Sequence, residues 1–384
     1  MLAFFMKNRK LKIKESVDVY TFTSDQPEQV RIQFYKINTR EKITIEIDHS
    51  FLSILSSLDG LKTISDIFNE HKLEYDLDEL KEIIEYLISK GLIIEKREQQ
   101  FLDSYDVDRY SRQINYFDDL ISEKTGECSQ RELMNKNVLI IGCGATGGII
   151  ATQLAMAGIK KFLLWDYKKT NSGSITRHIY TNDTTYDCYK VDSLGEHLKN
   201  IDSRIVVDSY KSKLLPNTNL DNYINDNIDI VINTADEPYI GHISVKLGRY
   251  LWQKKIGLYV SGGFDAHLMS SGELIHNGVT PCIDCCSTTF KKALSNWKPK
   301  YNQNIDTEAS GEEESLSVSV GGAGGLFPHA LYSSSLACMN IIDFLLSNEN
   351  STDKCNKRGE FLVERCEQTW FEMRKQDDCK ICQS

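Results

Sequence analysis

Asn137-Val-Leu-Ile-Ile-Gly-Cys-Gly-Ala-Thr-Gly-Gly148, followed by Gly158-Ile-Lys-Lys-Phe-Leu-Leu-Trp-Asp166, is the stretch on which the reading of this chain turns. An apolar run leads into a glycine turn, then into a helix carrying Ile149, Ile150 and Leu154, then into a second apolar run that ends in an acid. The order strand, turn, helix, strand is that of a nucleotide-binding α/β unit. Gly142, Gly144 and Gly147 let phosphates approach the backbone, and Asp166 can hold a ribose. Arg177 and Lys190 follow closely. Two cations beside such a turn suit a triphosphate undergoing chemistry better than a dinucleotide held as a hydride carrier.

Outward from that stretch, strand and helix alternate. Strands are expected at 138–141, 162–165, 205–210, 228–233 and 258–262, a doubly wound, Rossmann-like α/β domain with a mixed sheet. A cysteine cluster follows, then a polar stretch over 295–314 in which Glu312-Glu-Glu-Ser reads as a solvated loop. Gly321 to Gly325 is a second glycine-rich segment, suited to lining a substrate path or to acting as a hinge. An apolar helix is expected over 326–346, and a helical run ending in Trp370 and Phe371 beyond it. Upstream, 17–22, 30–35 and 43–47 are β-branched and aromatic with polar breaks. Helices over 51–58, 64–71 and 80–90 and a strand over 92–95 complete a winged-helix-like α+β unit. The division expected is residues 1–100 and residues 101–384.

Composition narrows the function. The 384 residues carry a formal charge of −10, which argues against nucleic acid as a partner, since phosphate backbones need clustered Lys and Arg. No apolar run approaches the ~20 residues of a membrane span, and the opening apolar patch is too short for a secretory segment; a cytoplasmic protein is expected. The 11 cysteines do not read as a disulfide framework in a chain of this kind. Cys282-x-x-Cys285 and Cys379-x-x-Cys382 instead have the spacing of a structural Zn²⁺ tetrathiolate, with Cys286 as the alternative to Cys285. Cys143 and Cys338 read as packing residues. Cys188, near Lys190, is the thiol to test for a thioester step.

Several separated motifs resemble those of the ubiquitin-activating-like adenylyltransferases, the ThiF, MoeB and HesA group, over about residues 105–384. Arg109-Tyr-Ser-Arg112-Gln resembles the group's opening motif, whose second arginine reaches into a neighbouring subunit's ATP site; the resemblance therefore implies a homodimer. Asp166 matches the ribose-binding acid, Lys190 the phosphate-contacting lysine, and Thr234-Ala-Asp236 the acid that helps place Mg²⁺. Ser174-Ile-Thr-Arg177-His178 stands where the group has Asn-Leu-x-Arg-Gln. Ser174 and His178 are thus departures, as is Lys168, which replaces a second acid.

Leu55-x-x-Leu58-Asp59-Gly60, Thr63-Ile64 and Leu87-x-x-x-Gly91-Leu92-Ile93 are similar to PqqD-like peptide-recognition domains. Together the two halves resemble the microcin C-type peptide adenylyltransferases. The implied reaction is ATP-dependent adenylation of the C-terminal carboxylate of a ribosomal precursor peptide, with Arg112, Arg177, Lys190 and Asp236 at the reacting phosphates. Two alternatives are adenylation of a ubiquitin-like sulfur carrier, and a non-catalytic leader-peptide-binding partner of an azoline-forming complex.

Overall fold

The structure is a computed structural model and describes residues 8–71, 77–96, 101–121, 124–236, 240–261, 264–265, 268–293, 325–346 and 355–383. It divides into two compact units, Met1–Arg131 and Glu132–Ser384.

The first unit holds two three-stranded sheets. One orders β5 (Asp59–Thr63), β1 (Lys10–Ile13) and β6 (Ile93–Glu95); the other is a meander of β2 (Val17–Thr23), β3 (Gln29–Lys36) and β4 (Lys42–Asp48). Along β3, Val30, Ile32 and Phe34 are buried, while Gln29, Arg31 and Gln33 lie between them on the other face. Period-two alternation of this kind belongs to an antiparallel sheet with one wet face. Helices α1 (Phe51–Ser56), α2 (Ile64–His71) and α3 (Leu77–Ser89) join the same core. On α3 the buried Leu80, Ile84 and Leu87 recur at helical spacing. Helices α4 (Ser104–Arg109), α5 (Ser111–Leu120) and α6 (Gly126–Met134) follow along the chain. Strands β1 and β5 are additions to the winged-helix-like pattern read from sequence.

The second unit is built on a six-stranded sheet ordered β14 (Glu273–Ile275), β11 (Gly257–Val260), β10 (Ile230–Asn233), β7 (Asn137–Ile141), β8 (Lys161–Trp165) and β9 (Val206–Tyr210). The five strands β11 to β9 run parallel and β14 is antiparallel, so the sheet is mixed, as expected. The chain winds from β7 outward to β9, then returns to β10 on the opposite side of β7. The carboxyl ends of β7 and β10 therefore border a topological switch point, where open α/β sheets form their ligand crevice. Helix α7 (Ala145–Met156) is buried nearly all round, and Cys338 of α12 (Phe327–Leu346) directs its thiol to the Ile150 carbonyl at 3.7 Å. Ile243, Leu247 and Leu251 of α10 (Ile240–Lys254) share a core with Leu139, Val231 and Leu258 of the sheet.

A second sheet orders β12 (Phe264–Asp265), β13 (Leu268–Ser270), β15 (Lys357–Leu362) and β16 (Glu367–Glu372). Here the expected helical run is corrected. Trp370 and Phe371 belong to β16 and pair with Gly359 and Arg358 of β15. Cys366, at φ 49°, makes the left-handed turn between the two strands. The β-preferring Thr369, Trp370 and Phe371 together with cross-strand pairing make this segment a strand. The polar stretch 295–314, Gly321 to Gly324 and Gly262 lie outside the described residues.

Candidate active site

A cavity of about 350 Å³ opens at the switch point. Its floor is the glycine turn after β7. Gly142 has φ +90°, and a Cβ there would come within 2.7 Å of the Ala235 nitrogen, so only glycine fits between the β7 and β10 loops. The turn ends at Gly144, which caps α7 and lines the cavity. Thr234 ties the two loops by hydrogen-bonding the Gly142 carbonyl.

Asp166, one residue past β8, accepts from the Cys143 N–H through Oδ2 and from the Lys168 N–H through Oδ1, both at 2.8 Å. Its carboxylate is thereby fixed at the wall of the cavity it lines. On the neighbouring wall Trp165 stacks on Tyr223, with centroids 4.2 Å apart, and donates its indole N–H to the Ser212 carbonyl at 2.7 Å.

Lys190 is brought in by a β-bridge. Lys169 pairs with Tyr189, Thr170 N–H donates to the Cys188 carbonyl at 2.9 Å, and Lys190 N–H donates to the Lys168 carbonyl at 3.0 Å. Lys190 is the first residue of α9 (Lys190–Ile201), so its ammonium and the positive end of that helix lie on the same side of the cavity. Arg177 is exposed at the cavity wall, with Nε donating to the Gly173 carbonyl at 3.0 Å.

Ser174 lines the cavity but is buried, and its hydroxyl is engaged in a capping box with Asn171. It accepts from the Asn171 N–H at 3.0 Å and donates to Asn171 Oδ1 at 3.2 Å. Asp236 is exposed on the loop after β10 and lines the cavity with Thr234 and Ala235. Its carboxylate is the hard oxygen donor that Mg²⁺ takes.

Gly142, Gly144, Asp166, Ser174, Arg177, Lys190 and Asp236 thus converge on one cavity. Gly147 stands behind it in α7, where a Cβ would lie 2.0 Å from the Gly142 carbonyl oxygen. Arg112 does not line it. It is exposed in the first turn of α5, in the first unit, whereas the lining is drawn from residues 141–243. Lys168, Lys169 and Lys213 also line the cavity. Sequence reading missed Lys169 and Lys213 and took Lys168 only as a lost acid. The available signal was position: each follows the carboxyl end of a parallel strand. Five cations, of which Lys169 is paired with Asp187 at 3.0 Å, against the two carboxylates of Asp166 and Asp236 make a positive recess in a chain whose charge is −10.

Among the thiols, Cys143 is fully buried, and burial pushes it well above the ordinary range, which fits a packing residue. Cys188 is exposed and turned toward the Tyr186 carbonyl at 3.7 Å.

A second cluster lies apart from the cavity residues. The sulfurs of Cys282, Cys285, Cys379 and Cys382 all fall within 4.8 Å of one another. Cys282 and Cys379 are 3.4 Å apart, Cys285 and Cys382 3.6 Å. A tetrahedral Zn²⁺ with Zn–S bonds of ~2.3 Å sets its sulfurs about 3.8 Å apart, so the donor set and spacing fit zinc. Gln376 N–H donates to the Cys285 sulfur at 3.3 Å, a contact that steadies a thiolate. Cys286 instead faces the Pro281 carbonyl at 3.9 Å.

A model of the ThiF family matches residues 110–381. The adenylyltransferase and sulfurtransferase MOCS3 of Dictyostelium discoideum is 31% identical over 131 residues, 34% of this chain and 29% of that protein. The vegetative HesA protein of Trichormus variabilis is 27% identical over 190 residues, 48% of this chain and 64% of that protein. The chain thus spans less than two thirds of the length of these curated relatives. Among solved structures, E. coli MccB superposes with a TM-score of 0.72 at 17% identity, covering 97% of this chain and 96% of MccB. MccB has also been solved with ATP and, as a microcin C7 biosynthetic enzyme, with N-formylated MccA.

Proposed function

The chain belongs to the ThiF family, and we propose that it adenylates the C-terminal carboxylate of a ribosomal precursor peptide with MgATP. The observation that carries this reading is the cation-lined cavity over the glycine turn, with Asp166 fixed in its wall. The peptide carboxylate attacks the α-phosphorus, the bond to the β-phosphate oxygen breaks, and pyrophosphate leaves with the negative charge. Arg177 and Lys190, joined by Lys168, Lys169 and Lys213, oppose that charge inside a recess where water competes poorly. Asp166 holds the ribose. Magnesium held by Asp236 would neutralise phosphate charge. Arg112 completes the site from a second protomer of a homodimer. Zinc at the four cysteines plays a structural part.

The likeness to MccB over both units supports a peptide as substrate. The test is pyrophosphate exchange into ATP. Exchange that depends on a candidate short peptide with a free C-terminal carboxylate is expected; exchange with no peptide tried, under conditions where ATP binds, would refute it. The identity shared with MOCS3 favours a second reading, activation of a sulfur-carrier protein. Exchange driven by a small carrier ending in Gly-Gly, and not by peptides, would select it.

A further inference from the structure

His178 stands three residues past α8 (Ser172–Ile175), buried in the wall of the cavity that Arg177 and Lys190 also line. Its ring stacks on Tyr180, with centroids 5.4 Å apart and planes 26° apart. The Tyr180 hydroxyl donates to the Cys143 carbonyl, inside the glycine turn, and lies 3.3 Å from His178 Nδ1. The phenol has one proton and gives it to Cys143, so its oxygen is the acceptor toward the imidazole. This sets the tautomer: Nδ1 carries the hydrogen and Nε2 carries the lone pair. Among the described residues Nε2 has no hydrogen-bond partner, and it is not among the sealed unpartnered atoms. Tyr180 in turn is fixed against α7, because a Cβ on Gly148 would fall 2.5 Å from its ring.

An Nε2 lone pair is the wrong polarity for a phosphate and the right one for a proton. We propose that His178 takes up a proton from solvent as a triphosphate enters the cavity and then donates from Nε2 to a phosphate oxygen, while Nδ1 and Tyr180 link that contact to the glycine turn. The inference rests on the ATP-binding reading above and deepens it. The imidazole is neutral in the free protein, held down to about 4 by burial first and then by Lys190 and Arg177. The groups facing it are Arg177 on its own segment, Lys190 at the start of α9, Tyr180, and beyond Tyr180 the Cys143 thiol and Asp166 carboxylate of the turn. The negative phosphates set against those two cations offset their field at the imidazole and favour the imidazolium. The sign follows. Nucleotide affinity is strongest at low pH within the folded range and weakens as pH rises, by at most about tenfold per unit for one linked proton.

The test is calorimetry of MgATP binding to the full chain at pH 7.5 in buffers of different ionisation enthalpy. Wild type is expected to take up measurably more proton per ATP than His178→Gln, which keeps a phosphate donor without a titrating group. Equal uptake in the two proteins would overturn the proposal while leaving ATP binding intact. Failure of wild type to bind ATP at all would overturn it together with the reading it rests on. Nitrogen-15 histidine spectra of the wild-type chain give an independent measure. The His178 resonances should change from the Nδ1–H tautomer to the doubly protonated ring on adding MgATP, and unchanged shifts would refute the idea even if the variant fails to fold.

Discussion

A Cβ on Gly147 would lie 2.0 Å from the Gly142 carbonyl oxygen, whereas one on Gly144 meets nothing within 4 Å. The two glycines therefore answer to different demands. Gly147→Ala forces backbone against backbone, and its melting temperature should fall by 5 °C or more, for a cost of about 2–3 kcal/mol. Gly144→Ala should melt with wild type yet lose most of its ATP affinity, because the added methyl occupies the approach of a phosphate. Equal melting losses in the two variants would contradict this division. At Arg177 the demand is charge alone. Its side chain is exposed and, among the described residues, hydrogen-bonds the Gly173 carbonyl alone. Arg177→Ala should slow pyrophosphate exchange about 10²–10³-fold and leave peptide affinity unchanged; normal turnover would remove Arg177 from the reacting phosphates. Asp202 shows the opposite case of a buried acid fixed by partners. Hydrogen bonds from Arg204, with Lys160 behind them, hold its carboxyl well below the usual carboxylate range. A depressed folded-state value means that its stabilisation is complete above the unfolded value of about 3.9 and is lost as pH falls below it. Asp202→Asn should cost about 2–3 kcal/mol in urea unfolding at pH 7 and flatten the acid limb of the stability curve.

At the scale of elements, the four-cysteine cluster joins the start of α11 (Ile283–Ala293) to the segment after β16. Loss of one ligand in Cys382→Ser should release close to one equivalent of zinc by mass spectrometry and destabilise the second unit by several kcal/mol. A variant that keeps wild-type stability without metal would show the cluster to be dispensable. This cluster was legible in sequence because two short spacings carry it. The β7–turn–α7–β8 unit was legible for a similar reason: strand period, glycine turn and terminal acid are all local signals. Strands β1, β5, β15 and β16 were not. Lys10–Ile13 pairs with β5 and β6, far along the chain. Glu367–Glu372 mixes helix formers (Glu367, Gln368, Glu372) with the β-preferring Thr369, Trp370 and Phe371, and pairing with β15 decides between them. Lys169 and Lys213 sit in no motif; the crossing of β8 and β9 beside β7 brings them to the cavity. His178 was visible as a departure from a pattern, but its tautomer depends on Tyr180 and Cys143, which only the folded turn assembles.

For the molecule as a whole, the candidate residues are split between units: Arg112 in Met1–Arg131, the cavity in Glu132–Ser384. If Arg112 serves a sister protomer, Arg112→Ala and Lys190→Ala should each be inactive, and their mixture should regain up to about a quarter of wild-type activity. Half the dimers in a random mixture carry one intact site of two. No recovery in dimers shown to exchange subunits would place Arg112 elsewhere. The uneven distribution of charge reaches further still. The exterior of this acidic chain repels a polyanion at long range, while its recess attracts the same polyanion within a few ångströms. Dissolved ions damp the first interaction more than the second, since the screening length is ~8 Å at physiological strength. Diluting the buffer should therefore slow nucleotide capture rather than hasten it, so that ordinary cellular salinity assists the encounter.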